Sequence, residues 1–174
     1  MPTNKPLIGI SQCLTDSIVR YDAKSQFNSK LCQCLEQPFE LIPICPEVEC
    51  GLGMPRPPIE LVESQQGIRV VGRDNKQLDV TEKLAHYTQE KVCLLSNLSG
   101  YVFKSRSPSC GVGSTPIFDQ DGKNTKYSNG FFVEAMKQLY PNLPMVDDSF
   151  LDEREVLNKF VAKVFEYSLS SSQQ

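Results

Sequence analysis

The sequence predicts a doubly wound α/β fold with a mainly parallel sheet, on three observations. Short apolar runs lack the alternation of half-exposed strands, as strands covered on both faces do. Helical patterns lie between those runs, and two of them stop at a proline. Strands alternating with helices imply parallel neighbours joined by right-handed crossovers.

The elements follow in chain order. "PLIGIS" (6–11) is the first predicted strand. Phe27, Leu31, Cys34 and Leu35 then share one helical face before Pro38. "FELIPI" (39–44) is the second strand, and "IRVVGRDNKQLDV" (68–80) reads as a hairpin turning at Asp74-Asn75. A helix is expected over 81–97, where Asp79 or Thr81 can cap the free amides. "GYVFK" (100–104) is a third strand, and "TPIFDQDGKNTKYS" (115–128) is a second hairpin turning at Asp121-Gly122. Both hairpins are read as insertions around a site. Phe132, Ala135, Met136 and Leu139 line a helix that ends at Pro141, and "LPMVD" (143–147) is the fourth strand. "DDSFLDE" opens a last helix carrying Leu157, Phe160, Val161, Val164 and Phe165. A single domain is expected over 1–168, with 169–174 as a polar, frayed tail.

Composition narrows the function classes. With 40% hydrophobic and 22% charged residues the chain is globular, and no apolar run approaches the roughly 18 residues that span a bilayer. A formal net charge of -3 without a block of lysine and arginine speaks against nucleic acid. The first residues hold too short an apolar stretch for a secretory signal, so the cytoplasm is expected. Seven cysteines, an odd number, then read as reduced thiols rather than a disulfide framework.

Three of those cysteines occupy equivalent places. Cys13 follows the first strand, Cys45 the second, and Cys110 lies six residues beyond the third. Loops leaving the carboxyl ends of neighbouring parallel strands converge on one crevice, so these thiols are expected to meet. Cys110 sits in "KSRSPSCG", a poor helix and strand former, where Lys104 and Arg106 would favour the thiolate. Cys32 and Cys34 cannot share an ion from one helix; Cys34 is expected in the core and Cys93 in helix packing. Cys50, five residues past Cys45, is a reserve ligand. The single histidine, His86, falls on a helix remote from these loops.

An all-thiolate set suits zinc or an iron-sulfur cluster, and three ligands would leave one iron of a four-iron cluster open as a Lewis acid. Glu47, two residues after Cys45, could move protons beside that position. Ser107 and Ser109 could donate to a sulfur or a substrate; Arg20, Asp22 and Arg56 could anchor a polar substrate or pair with one another.

The strings "SQCL", "VRYD", "CPEV", "MPRPP", "DVTE" and "KSRSPSCG", in that order, resemble the thiouracil desulfidase family over residues 7–150. The resemblance implies a Rossmann-like domain of a bacterial, oxygen-sensitive enzyme, with a 4Fe-4S cluster held by Cys13, Cys45 and Cys110. It implies a small thio-base as substrate, with Glu47 activating water or supplying a proton and Ser107 near the substrate. Hydrosulfide and uracil would be the products. The chain departs from the family pattern where Glu49 and Cys50 stand in place of small residues, and where Ala23 replaces a glycine after "YD". Glu49 is expected as a further carboxylate near the mouth. Two other readings remain at this stage: a non-catalytic zinc or iron-sulfur module, and a metal-free enzyme using Cys110 as nucleophile.

Overall fold

The computed structural model describes residues 5–15, 22 and 27–171. Arg20 therefore lies outside the described residues. In chain order the regular elements are β1 (Leu7–Ser11), α1 (Ser29–Glu36), β2 (Glu40–Ile44), β3 (Ile59–Ser64), β4 (Gly67–Gly72) and α2 (Thr81–Cys93). They continue with β5 (Gly100–Phe103), β6 (Thr115–Phe118), β7 (Asn124–Ser128), α3 (Phe131–Leu139), β8 (Met145–Asp147) and α4 (Arg154–Ser171).

The four strands expected from apolar runs form one sheet, ordered β2-β1-β5-β8. Every pairing in it is parallel. Ile8, Ile10 and Val102 face Leu31 and Leu35 of α1 and Phe160 and Val164 of α4. Tyr101 and Phe103 face the opposite way, against Val92 of α2 and Phe132 and Met136 of α3. Burial on both faces is why these strands read as unbroken apolar runs. Fully burying a side chain such as Phe132 contributes about 1.5–3 kcal/mol. Gly9 lets β5 carry a tyrosine beside it, since a Cβ there would lie 2.3 Å from the Tyr101 ring.

The two segments expected as hairpin insertions instead join β3 in a second sheet, ordered β4-β3-β6-β7. Two antiparallel pairs, β3 with β4 and β6 with β7, are joined by a parallel pairing between β3 and β6. The turn at Asp121-Gly122 forms as expected, with Gly122 at a φ of 79°. The 68–80 hairpin does not: β4 pairs with β3, and the return arm makes only the bridge between Val71 and Asp79. Glu60 and Glu63 disguise β3, which is nonetheless buried over Ile59–Val62. Glu60 is accommodated there by Lys76 and Arg73.

Three smaller expectations change. Cys34 is exposed and Cys32 is buried instead, its thiol donating to the Leu14 carbonyl. The reason is phase: Asn28 caps α1 through Leu31 N, and the helix buries Leu31, Cys32 and Leu35. Cys93 is exposed at the end of α2, whose buried side runs through Leu84, Thr88 and Val92. Helix α4 continues through Ser171, where a frayed tail was expected from 169.

Candidate active site

Strands β1, β2 and β5 end at one edge of the parallel sheet, and the chain leaves β1 for β2 on one side and reaches β5 on the other. Such a reversal of strand order is where open α/β sheets bind ligands. A cavity of about 490 Å³ opens there, and Cys13, Cys45, Cys110, Glu47, Arg56 and Ser107 all line it. The second sheet supplies its far wall through Ile59, Leu61 and Phe118, while Arg73, Lys104 and Arg106 contribute positive charge. The three cysteines that sequence reasoning brought together are thus on one cavity. Asp22 is not among its lining residues.

Each cysteine loop is anchored separately. Cys13 lies in a 3-10 turn, Gln12–Leu14, directly after β1. In the Cys110 loop the Ser107 Oγ accepts from the amides of Ser109 (3.2 Å) and Cys110 (3.1 Å), and Thr115 Oγ1 donates to the Ser107 carbonyl at 2.7 Å. This turn then replaces a side-chain cap for α3. The Phe131 amide donates to the Pro108 carbonyl at 2.9 Å and the Phe132 amide to the Ser109 carbonyl at 3.0 Å. Gly130 makes that docking possible: a Cβ there would stand 2.4 Å from the Ser109 carbonyl carbon.

The Cys45 loop is held from α2. Glu49 Oε1 accepts from the Cys45 amide at 3.3 Å, while its Oε2 accepts from Tyr87 Oη and Lys91 Nζ, both at 2.8 Å. Glu49 consequently binds α2 and does not line the cavity, contrary to its expected place near the mouth. Cys50 is also absent from the lining. Its thiol donates to the Glu47 carbonyl at 3.3 Å, and it packs with Ile59, Leu61 and Leu84.

Glu47 is buried and engaged at both oxygens. Arg56 donates to Oε2 from Nε (3.0 Å) and Nη2 (2.7 Å), and Ser109 donates to Oε1 at 3.0 Å. All three residues are at most 8% exposed. Of the two serines around Pro108, then, Ser109 holds the acid and Ser107 spends its lone pairs on backbone amides. A hydroxyl that accepts keeps its own hydrogen to donate, so Ser107 can still serve a ligand in the cavity.

The thiols are set by burial rather than by the cations expected to activate them. Lys104 is paired with Asp148 at 2.8 Å, and Arg106 lies exposed with a φ of 61°. Burial pushes the Cys110 thiol well above its ordinary 9.0; a hydrogen bond with Ser11 opposes this, and Cys13, Cys45 and Glu47 add to it. Burial raises Cys45 as well, against the Val48 amide and with the charge of Glu47. Buried thiols crowded against each other and a carboxylate become thiolates when a metal centre takes their charge. Among the described residues no group of three His, Cys, Asp or Glu side chains is placed to hold one metal ion. In a four-iron cluster each cysteine binds its own iron, so thiols spread around a cavity fit it better than convergence on a point. His86, 76% exposed and 3.6 Å from Glu90, takes no part.

The family described as 2-thiouracil desulfurase matches residues 8–148. A solved structure, the 4Fe-4S-dependent thiouracil desulfidase TudS, is similar with a TM-score of 0.67 and 27% identity. The similarity covers 89% of this chain and 99% of that one. No curated protein sequence matches at a significant level.

Proposed function

Because the chain belongs to the 2-thiouracil desulfurase family, we propose that it removes sulfur from 2-thiouracil or a related thiolated base, using a 4Fe-4S cluster held by Cys13, Cys45 and Cys110. The observation that carries this reading is the gathering of those three thiols on one cavity beside Glu47. When bound, the cluster supplies a Lewis-acidic iron for the thiocarbonyl sulfur. The protein supplies the rest. Ile59, Leu61 and Phe118 offer an apolar wall for a flat ring. Glu47, fixed by Arg56 and Ser109, takes a proton from the water that attacks the ring carbon. Ser107 donates its hydroxyl hydrogen to the substrate. The oxygen of water replaces sulfur on carbon, and sulfur leaves as hydrosulfide with a proton from the same water.

Several finer points belong to this reading. The all-parallel sheet with helices on both faces supports a Rossmann-like core, in a single domain that takes in α4 through Ser171. Cys34, Cys45, Cys50, Cys93 and Cys110 form no disulfide, which supports a reducing, cytoplasmic setting. No helix among the described residues is long and apolar enough to cross a membrane. Against a metal-free Cys110 nucleophile stand its buried, protonated thiol and the distance of the only histidine from the cavity.

Anaerobic purification tests the proposal. The protein should be brown, contain iron and sulfide in near equal amounts, and release sulfide from 2-thiouracil. Glu47→Gln should keep the cluster and lose turnover, whereas Cys110→Ser should lose the cluster. Colourless protein carrying zinc, or sulfide release by metal-free protein, overturns it.

A further inference from the structure

Three buried side-chain atoms among the described residues have no hydrogen-bond partner: Thr88 Oγ1, Asp147 Oδ2 and Tyr101 Oη. Tyr101 stands apart from the other two by its place in the fold. It is 0% exposed on β5 and packs in the same buried cluster as Cys110. Burial above all pushes its hydroxyl well above the ordinary 10.0, and the charges of Cys110, Tyr87, Glu49 and Cys45 add to that. Its hydroxyl is therefore buried on the side of the sheet where Cys110 packs, and burial keeps it protonated, a donor.

The ring is not free to carry that hydroxyl elsewhere. It stacks on Phe103 with centroids 3.8 Å apart and planes within 4°, and meets Phe132 edge-on at 6.2 Å. It also lies against Gly9, where a Cβ would stand 2.3 Å from the ring. A buried phenol without an acceptor is costly, and native proteins leave such groups unpaired only for a reason. Phenylalanine would fill the same space without that cost.

We propose that the Tyr101 hydroxyl is a built-in donor to the sulfur of the metal centre, its acceptor being the sulfur of Cys110, or an inorganic sulfide beside it, once the cluster is in place. This rests on the cluster assignment made above. Donors to cluster and ligand sulfurs set how firmly a centre is held and at what potential. Tyr101 is then a positioning residue of the centre, outside the cavity that takes substrate.

Tyr101→Phe separates this role from packing because the two forms of the protein should respond differently. In metal-free protein the substitution should leave the melting temperature unchanged or raised, since it deletes an unpaired group. In anaerobic cluster-loaded protein, iron should be lost to a ferrous chelator several-fold faster than in wild type, with shifted iron-sulfur stretching frequencies by resonance Raman. If wild type holds a cluster and the variant shows the same release rate and the same spectrum, the Tyr101 proposal fails alone. A metal-free variant that melts well below metal-free wild type also overturns it, because the hydroxyl then has a partner without the cluster. Wild-type protein that takes up no cluster overturns both this inference and the reading beneath it.

Discussion

At the scale of single residues, Glu47 shows how a carboxylate is held inside a protein. Its Oε2 is taken by the Arg56 guanidinium and its Oε1 by Ser109, so its orientation depends on two different loops. Ser109→Ala would leave one oxygen without its donor, a loss of about 1–3 kcal/mol for a buried hydrogen bond to a charged group. We expect kcat to fall roughly 5- to 150-fold at that cost, with iron content unchanged and partial rescue in Ser109→Thr; steady-state kinetics beside iron analysis decides. The thiols give a second expectation. Cys45 and Cys110 are raised above 9.0 in the fold, so each binds its proton more tightly folded than unfolded. Their contribution to stability is complete below the unfolded thiol value and is lost as pH rises beyond it. Metal-free protein should therefore lose urea resistance as pH rises above the ordinary thiol value of 9.0, with Cys110→Ala losing less. The sequence showed that these residues could act, and not how. Ser107 and Ser109 look interchangeable around Pro108, and only the fold decides which faces the acid.

At the scale of elements, the Cys110 loop and α3 form one unit in which backbone carbonyls of the loop cap the helix. Gly130 sits at the joint with φ -67° and ψ 162°, an ordinary conformation for any residue. Its lack of a Cβ serves space alone, because the Ser109 carbonyl carbon would be 2.4 Å away. Gly130→Ala should thus push the loop off the helix, reducing iron and sulfide at isolation while circular dichroism keeps its helical signal; full cluster content would refute the coupling. Elements of this kind differ in legibility. The parallel strands were readable because both faces are buried and nothing interrupts the apolar run. Strand β3 was not, because Glu60 and Glu63 interrupt it and the partners of Glu60 come from Arg73 and Lys76. Glu49 was misplaced for a similar reason: its partners Tyr87 and Lys91 lie on α2, some forty residues on.

At the scale of the molecule, the two sheets divide the work of the site. The parallel sheet ends in the loops bearing Cys13, Cys45 and Cys110, a placement that followed from strand order alone. The mixed sheet carries none of those cysteines and instead closes the cavity with Ile59, Leu61 and Phe118. Its presence was legible in part, through β4 and the 115–128 hairpin, but β3 and its parallel pairing with β6 had no local signature. This division makes a prediction about separability. Phe118 pairs in register with Val62, so its side chain is positioned by the second sheet and owes nothing to the cysteine loops. Phe118→Ala removes an aromatic wall worth about 0.5–1.5 kcal/mol in ring contacts, and KM for 2-thiouracil should rise roughly 2- to 12-fold. Iron content and visible spectrum should stay those of wild type, since no cysteine loop has moved. A variant that instead loses its cluster with no change in KM would show that the second sheet braces the metal centre rather than the substrate.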